Sequence, residues 1–158
     1  MSDDLIILKG NKAEQYASLI PQVKGLIDGE PDLIANLANT VAALKEQFGW
    51  LWVGFYLVKN DELVLGPFQG PIACTRIRKG RGVCGTSWMQ AKTLIVSDVE
   101  KFPGHIACSS LSKSEIVVPV IRSNEVIAVL DADSETINYF DTTDQHYLEE
   151  IVDLINFN

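Results

Sequence analysis

Basic residues are scarce in this chain: 13 Lys and Arg face 21 Asp and Glu, for a net charge of -8. That balance argues against a nucleic-acid partner, because phosphate-backbone binding needs clustered cations. Arg76, Arg78, Lys79 and Arg81 form the one basic cluster. No stretch approaches the roughly 18 apolar residues of a membrane span. The opening M-S-D-D-L-I-I-L-K-G also lacks a basic start followed by a long apolar run, so a soluble, cytoplasmic protein with no membrane partner is expected. Only three cysteines occur, none of them in a C-x-x-C pair; without an export signal they read as reduced thiols rather than a disulfide framework. Lys79-Gly-Arg-Gly82 lacks the spacing of a phosphate loop, which removes support for nucleotide hydrolysis. Repeats, low-complexity tracts and linkers are missing too, and one domain over residues 1–158 is expected.

What is present is ample apolar material, 47% of 158 residues, enough for a packed core. Tyr16, Leu19, Ile20, Val23, Leu26 and Ile27 recur at helical spacing, with Pro21 expected to kink or split the helix. Leu33, Ile34, Leu37, Ala38, Val41 and Leu44 define a second helix between Pro31 and Gly49. Trp52–Val58 and Leu63–Leu65 read as a hairpin around K-N-D-E, and Glu115–Ile121 with Glu125–Asp133 as another. Between them lies a glycine-rich third with turns marked by Gly66, Gly70, Gly80, Gly82, Gly85 and Gly104, and a short helix expected from about Gly85 to Lys92. A last helix begins at Asp141 as N-cap, with Asp144 three residues on, and carries Leu148, Ile151, Val152 and Ile155 on one face. Helices flanking paired strands make this an α+β chain with a mostly antiparallel sheet.

All three cysteines fall in the middle third: Cys74, Cys84 and Cys108. A thiolate is a soft nucleophile suited to sulfur or peroxide oxygen, and a second thiol can resolve the sulfenic acid left behind. Three pairings exist, and the sequence selects none. Cys84, just ahead of the expected short helix, could have its thiolate stabilised by the helix dipole, while Cys108 sits in a glycine- and serine-rich loop near His105; both are credible nucleophiles. A free cysteine is also simply a small buried hydrophobe, but clustering argues for chemistry. His105 and Cys108 have ligand-like spacing, yet a zinc site lacks its other half, so no metal is expected.

Glu115 opens a strand that continues Ile-Val-Val-Pro-Val-Ile, which places its carboxyl at the rim of the core. Partial burial raises a carboxyl pKa and makes it a usable acid at neutral pH. Asp131 and Asp133 share one strand face, and two like charges there call for a cation: a ligand ammonium, a metal, or a neighbouring Lys or Arg. Trp52 and Tyr56 alternate onto one face and Phe55 onto the other, so Trp52 and Tyr56 could wall a pocket for a methyl or thioether group.

The strings W-V-G-F-Y-L, G-P-F-Q-G, A-C-T-R-I, G-R-G-V-C-G-T, F-P-G-H-I-A-C, S-E-I-V-V-P and L-D-A-D-S, in this order and spacing, resemble the free methionine-(R)-sulfoxide reductases, single GAF-domain enzymes. The resemblance runs from about Tyr16 to Ile151. It implies a GAF-like fold with a central antiparallel sheet of about six strands, flanking helices, and a pocket covered by the cysteine-bearing loops. It further implies free methionine-(R)-sulfoxide as substrate, thioredoxin as electron donor, and no cofactor. Carried over by position, Cys108 is the nucleophile, Cys74 the likelier resolving thiol with Cys84 the other candidate, Glu115 the acid, and Asp131 and Asp133 the ammonium binders. GAF-like domains often pair through helices, which makes a homodimer an expectation. Two readings of other classes stand beside the enzyme. One is a ligand sensor, which usually adjoins an effector domain; the other is a thiol switch whose disulfide is itself the signal.

Overall fold

A computed structural model describes residues 4–106 and 108–158. Helix α1 (Lys12–Ile27) starts at Asn11, which forms a capping box with Glu14, and α2 (Leu33–Phe48) starts at Asp32, which caps Ala35. Gly49 ends α2 with a φ of 66°, a left-handed conformation that glycine adopts without strain. Contrary to expectation, Pro21 neither splits nor ends α1. Pro21 is on the exposed face, so the carbonyl left without its amide partner can turn to water.

Strands β1 (Trp52–Lys59) and β2 (Glu62–Gln69) form the first hairpin, around Asn60 and Asp61 at φ 49° and 63°. Residues that tolerate left-handed φ at both positions give a two-residue turn matched to strand twist. β2 is longer than the sequence suggested, and Gly66 lies inside the strand rather than in a turn. A Cβ there would come within 3.0 Å of the Phe55 carbonyl, so glycine serves close strand packing. β3 (Arg76–Arg78), helix α3 (Gly82–Gln90) and β4 (Leu94–Val96) follow. β5 (Ser114–Arg122) and β6 (Glu125–Ser134) make the second hairpin, and α4 (Thr142–Leu154) closes the fold behind the Asp141–Asp144 capping box.

The six strands form one antiparallel sheet in the order β3-β2-β1-β6-β5-β4. Helices α1, α2 and α4 cover one face with Tyr16, Leu19, Leu44, Leu148 and Ile151, against Val53, Phe55, Ile116, Val118 and Leu130 of the strands. Trp52, Tyr56, Val117 and Val129 look the other way, toward α3 and the loops, with Cys84 and Trp88. Among the described residues no helix is long and apolar enough to cross a membrane.

Candidate active site

Register brings the acids together. Glu115 of β5 pairs with Asp133 of β6, which pairs with Trp52 of β1; one row further, Val117, Asp131 and Gly54 are aligned. All point away from α1, α2 and α4, because side chains two apart share a face. Gly54 matters here: a Cβ would meet Phe68 at 2.4 Å and the Trp52 ring at 2.6 Å, and its absence lets those rings stack 5.3 Å apart. The floor of a cavity results, lined by Trp52, Tyr56, Glu115, Asp131 and Asp133 and occupying about 620 Å³ with its open mouth.

The polar tips of the two aromatic residues fasten its wall. Trp52 Nε1 donates to the Pro71 carbonyl at 3.0 Å and Tyr56 Oη to the Cys74 carbonyl at 2.8 Å. Sequence patterning placed both residues on the pocket face but could not show that they hold the Cys74 segment. Cys74 in turn is disulfide-bonded to Cys108, with 5.7 Å between Cα atoms. Cys108 is exposed and lines the cavity, as do His105 and Ser109.

Cys84 is placed differently from the sequence reading. α3 begins at Gly82, so Cys84 lies inside its first turn, buried at 4% exposure and unpaired in any disulfide. Glycines at 82 and 85 look like helix breakers, yet Gly85 is demanded by packing: a Cβ would sit 2.4 Å from the Arg78 carbonyl. Burial, followed by the nearby Asp131 and Glu115 charges, pushes the Cys84 thiol well above its ordinary pKa. Those effects outweigh the helix dipole, and Cys84 holds its proton.

Glu115 sits deeper than the core rim, at 6% exposure. Burial raises its pKa well above the usual carboxyl value, and the Asp131 and Asp133 charges add to that. Asp133 is also raised, by burial and by Asp131, although Ser112 Oγ donates to its Oδ1 at 2.8 Å. Burial raises Asp131 as well, against hydrogen bonds from Glu115 and Cys84. Among the described residues its Oδ1 has no hydrogen-bond partner. A buried acceptor left unmatched beside two further acids is a seat for a cationic or donor group. Cys84, Glu115 and Asp131 also have ligand atoms within 4.8 Å of one another, the spacing that could hold a metal ion, whereas His105 and Cys108 are outside that group.

Arg81 and the first turn of α3 also line the cavity, with Cys84 of that turn beside Glu115 and Asp131. Arg81 is the N-cap and gives no side-chain hydrogen bond to that turn. The first amides of a helix carry partial positive charge and lack intrahelical acceptors. The lining thus combines three acids and an unpaired acceptor with Arg81 and the first turn of α3.

This geometry has close counterparts. A family profile described as GAF domain matches residues 30–158. The free methionine-R-sulfoxide reductase of Escherichia coli is 48% identical over 90% of this chain and 87% of its own. The corresponding enzyme of Neisseria meningitidis, solved in complex with its substrate, is 54% identical and superposes with a TM-score of 0.95, covering 97% of this chain and 93% of its own. The chain belongs to the free methionine-R-sulfoxide reductase family. A further relative, GAF domain-containing protein A of Dictyostelium discoideum, is 66% identical over 99% of both chains. Within this family the antiparallel six-stranded GAF fold read from the sequence stands, as does the oxidoreductase class.

Proposed function

We propose that this protein reduces free L-methionine-(R)-sulfoxide to methionine by thiol chemistry at Cys108. The observation that carries the reading is the Cys74–Cys108 disulfide beside a pocket lined by Cys108, by Arg81 and by three acids, one of which, Asp131, has an unpartnered oxygen among the described residues. A free amino acid is a zwitterion and finds both acidic and basic groups in such a lining. Asp131 and Asp133 receive the ammonium, while Arg81 and the first turn of α3 receive the carboxylate. Trp52 and Tyr56 flank the thioether portion.

The Cys108 thiolate attacks the sulfoxide sulfur while Glu115 supplies a proton to its oxygen, since bare oxide is prohibitively basic. Oxygen ends on Cys108 as a sulfenic acid and methionine leaves. The Cys74 thiol condenses with the sulfenic acid, releasing water and forming the disulfide. An external dithiol, for which thioredoxin is the candidate, reopens it by exchange and leaves oxidised. Cys84, buried and protonated, acts on this reading as a hydrogen-bond donor to Asp131. A purely sensory role is less well supported, because a ligand sensor has no use for a disulfide at the pocket mouth.

A single-turnover experiment tests the proposal. Reduced protein, given the R sulfoxide and no external reductant, should yield about one equivalent of methionine and a Cys74–Cys108 peptide in a mass-spectrometric map. Retained sulfoxide with both cysteines still reduced would sink the reading. A dominant Cys84–Cys108 link would instead transfer resolution to Cys84.

Glu115 offers a second test. Glu115→Gln preserves shape and removes the transferable proton, so kcat should fall on the order of 10²-fold or more with KM little changed. Because burial raises the Glu115 pKa, the acid holds its proton to higher pH than an ordinary carboxyl, and wild-type activity should decline as pH climbs through that raised value. That limb should be missing from the residual activity of the variant. An unchanged rate would leave Glu115 as a positioning residue.

A further inference from the structure

We infer that the basic rim beside the disulfide is a docking surface for an acidic dithiol oxidoreductase, a partner protein rather than a small thiol. The inference rests on the reading above that an external dithiol reopens Cys74–Cys108, and it concerns how that reductant is selected.

Charge is the first observation. In a chain of net charge -8, the one basic cluster, Arg76, Arg78, Lys79 and Arg81, begins two residues after Cys74. All four are exposed, on or just after β3, which is an edge strand of the sheet. Arg76 meets Glu62 at 3.5 Å, while no ion pair engages Arg78, Lys79 or Arg81 among the described residues. Lys79 Nζ instead lies over the Trp88 ring at 5.2 Å. The cluster is a local positive patch on an otherwise acidic protein. It supplies a complementary field for a negatively charged partner and steers its approach.

Apolar exposure is the second. Ile72, two residues before Cys74, is 88% exposed, and Leu111, three after Cys108, is 52% exposed. The bond between the two cysteines holds these flanking segments together. Large apolar side chains beside a reactive bridge, bordered by like charge, have the layout of a protein contact: an apolar centre and a polar rim. A small dithiol gains nothing from either feature.

The exchange itself is balanced. A thiolate of the partner attacks one sulfur of the bridge and the other cysteine departs as thiolate. The partner's second thiolate then displaces the first cysteine from the mixed disulfide; Cys74 and Cys108 leave reduced and the partner oxidised.

The test compares two reductants on one protein. Activity toward methionine sulfoxide is followed with dithiothreitol and, separately, with an acidic thioredoxin recycled by its reductase. The double variant Arg78→Glu, Lys79→Glu should raise the KM for thioredoxin by about ten-fold or more, since reversing charge on a steering surface slows association. Rates with dithiothreitol should be unchanged. Leu111→Glu should raise the thioredoxin KM as well, again sparing the small reductant. For the wild type, kcat/KM for thioredoxin should fall several-fold between about 0.02 M and 0.3 M salt as the Debye length shrinks. A thioredoxin KM indifferent to both charge reversal and salt would overturn the docking surface while leaving the reductase reading intact. Activity with dithiothreitol but none with thioredoxin would also overturn it. Inactivity with both reductants would overturn the reductase reading, and this surface with it.

Discussion

Cys108→Ser is expected to form no methionine, even with dithiothreitol in excess. A serine hydroxyl is neither soft nor ionised at neutral pH, so the attack on sulfur has no substitute group. Small dithiols can rescue the loss of a resolving cysteine, and Cys74→Ala should keep part of its rate under those conditions. They cannot rescue the loss of the nucleophile. Cys84 is no replacement either, since it is buried and holds its proton. Chromatography of the reaction mixture measures the outcome directly. Methionine formation by Cys108→Ser near the wild-type rate would move the attack to another thiol.

The second large effect concerns the substrate's amino group. N-acetyl-methionine sulfoxide should be used roughly 10⁴-fold less well than the free amino acid, because a site built to pair a polar group strongly rejects an analogue lacking it. Asp131 and Asp133 would face an uncharged amide, with the Asp131 Oδ1 already short of a partner. Asp131→Asn and Asp133→Asn should weaken use of the free form chiefly through KM. The S epimer is a companion control, as Glu115 can reach only one sulfoxide oxygen when Cys108 stands in line with the sulfur. Comparable kcat/KM values for the acetylated compound or the S epimer would remove these aspartates from substrate recognition.

Legibility in the sequence followed the length of the signal. The strands β1 and β6 announced themselves as apolar runs beside short polar turns, and the last helix by Asp141 and Asp144, which form a capping box. β3 and β4 are three residues each, too short for any period, and exist because β2 and β5 offer them hydrogen-bonding edges. Within a strand, the shared face of Asp131 and Asp133 could be counted off. That Glu115 stands directly across from Asp133 is a matter of register between strands, which no local pattern carries. The same limit hid the hydrogen bonds from Trp52 and Tyr56 to the loop before the cysteine. At α3 the difficulty was of another kind: glycine signals breaking, whereas here it answers a close approach of backbone from outside the helix.

The three clustered acids, Glu115 and Asp131 buried and Asp133 partly so, make the pocket a reservoir of protons. In the unfolded chain each titrates in the ordinary carboxyl range, while in the fold all three pKa values are raised. As pH rises above the ordinary range, the unfolded chain gives up protons that the fold retains, so this cluster favours folding less at neutral than at mildly acidic pH. A ligand ammonium would reverse the balance by favouring ionised aspartates, whose protons would go to solvent while Glu115 keeps its own. Entry of the amino acid would thereby be coupled to proton traffic before any sulfur is touched. On the proposed reading, the aspartate charge that would hold the substrate's ammonium would also keep the Glu115 proton available to the sulfoxide oxygen.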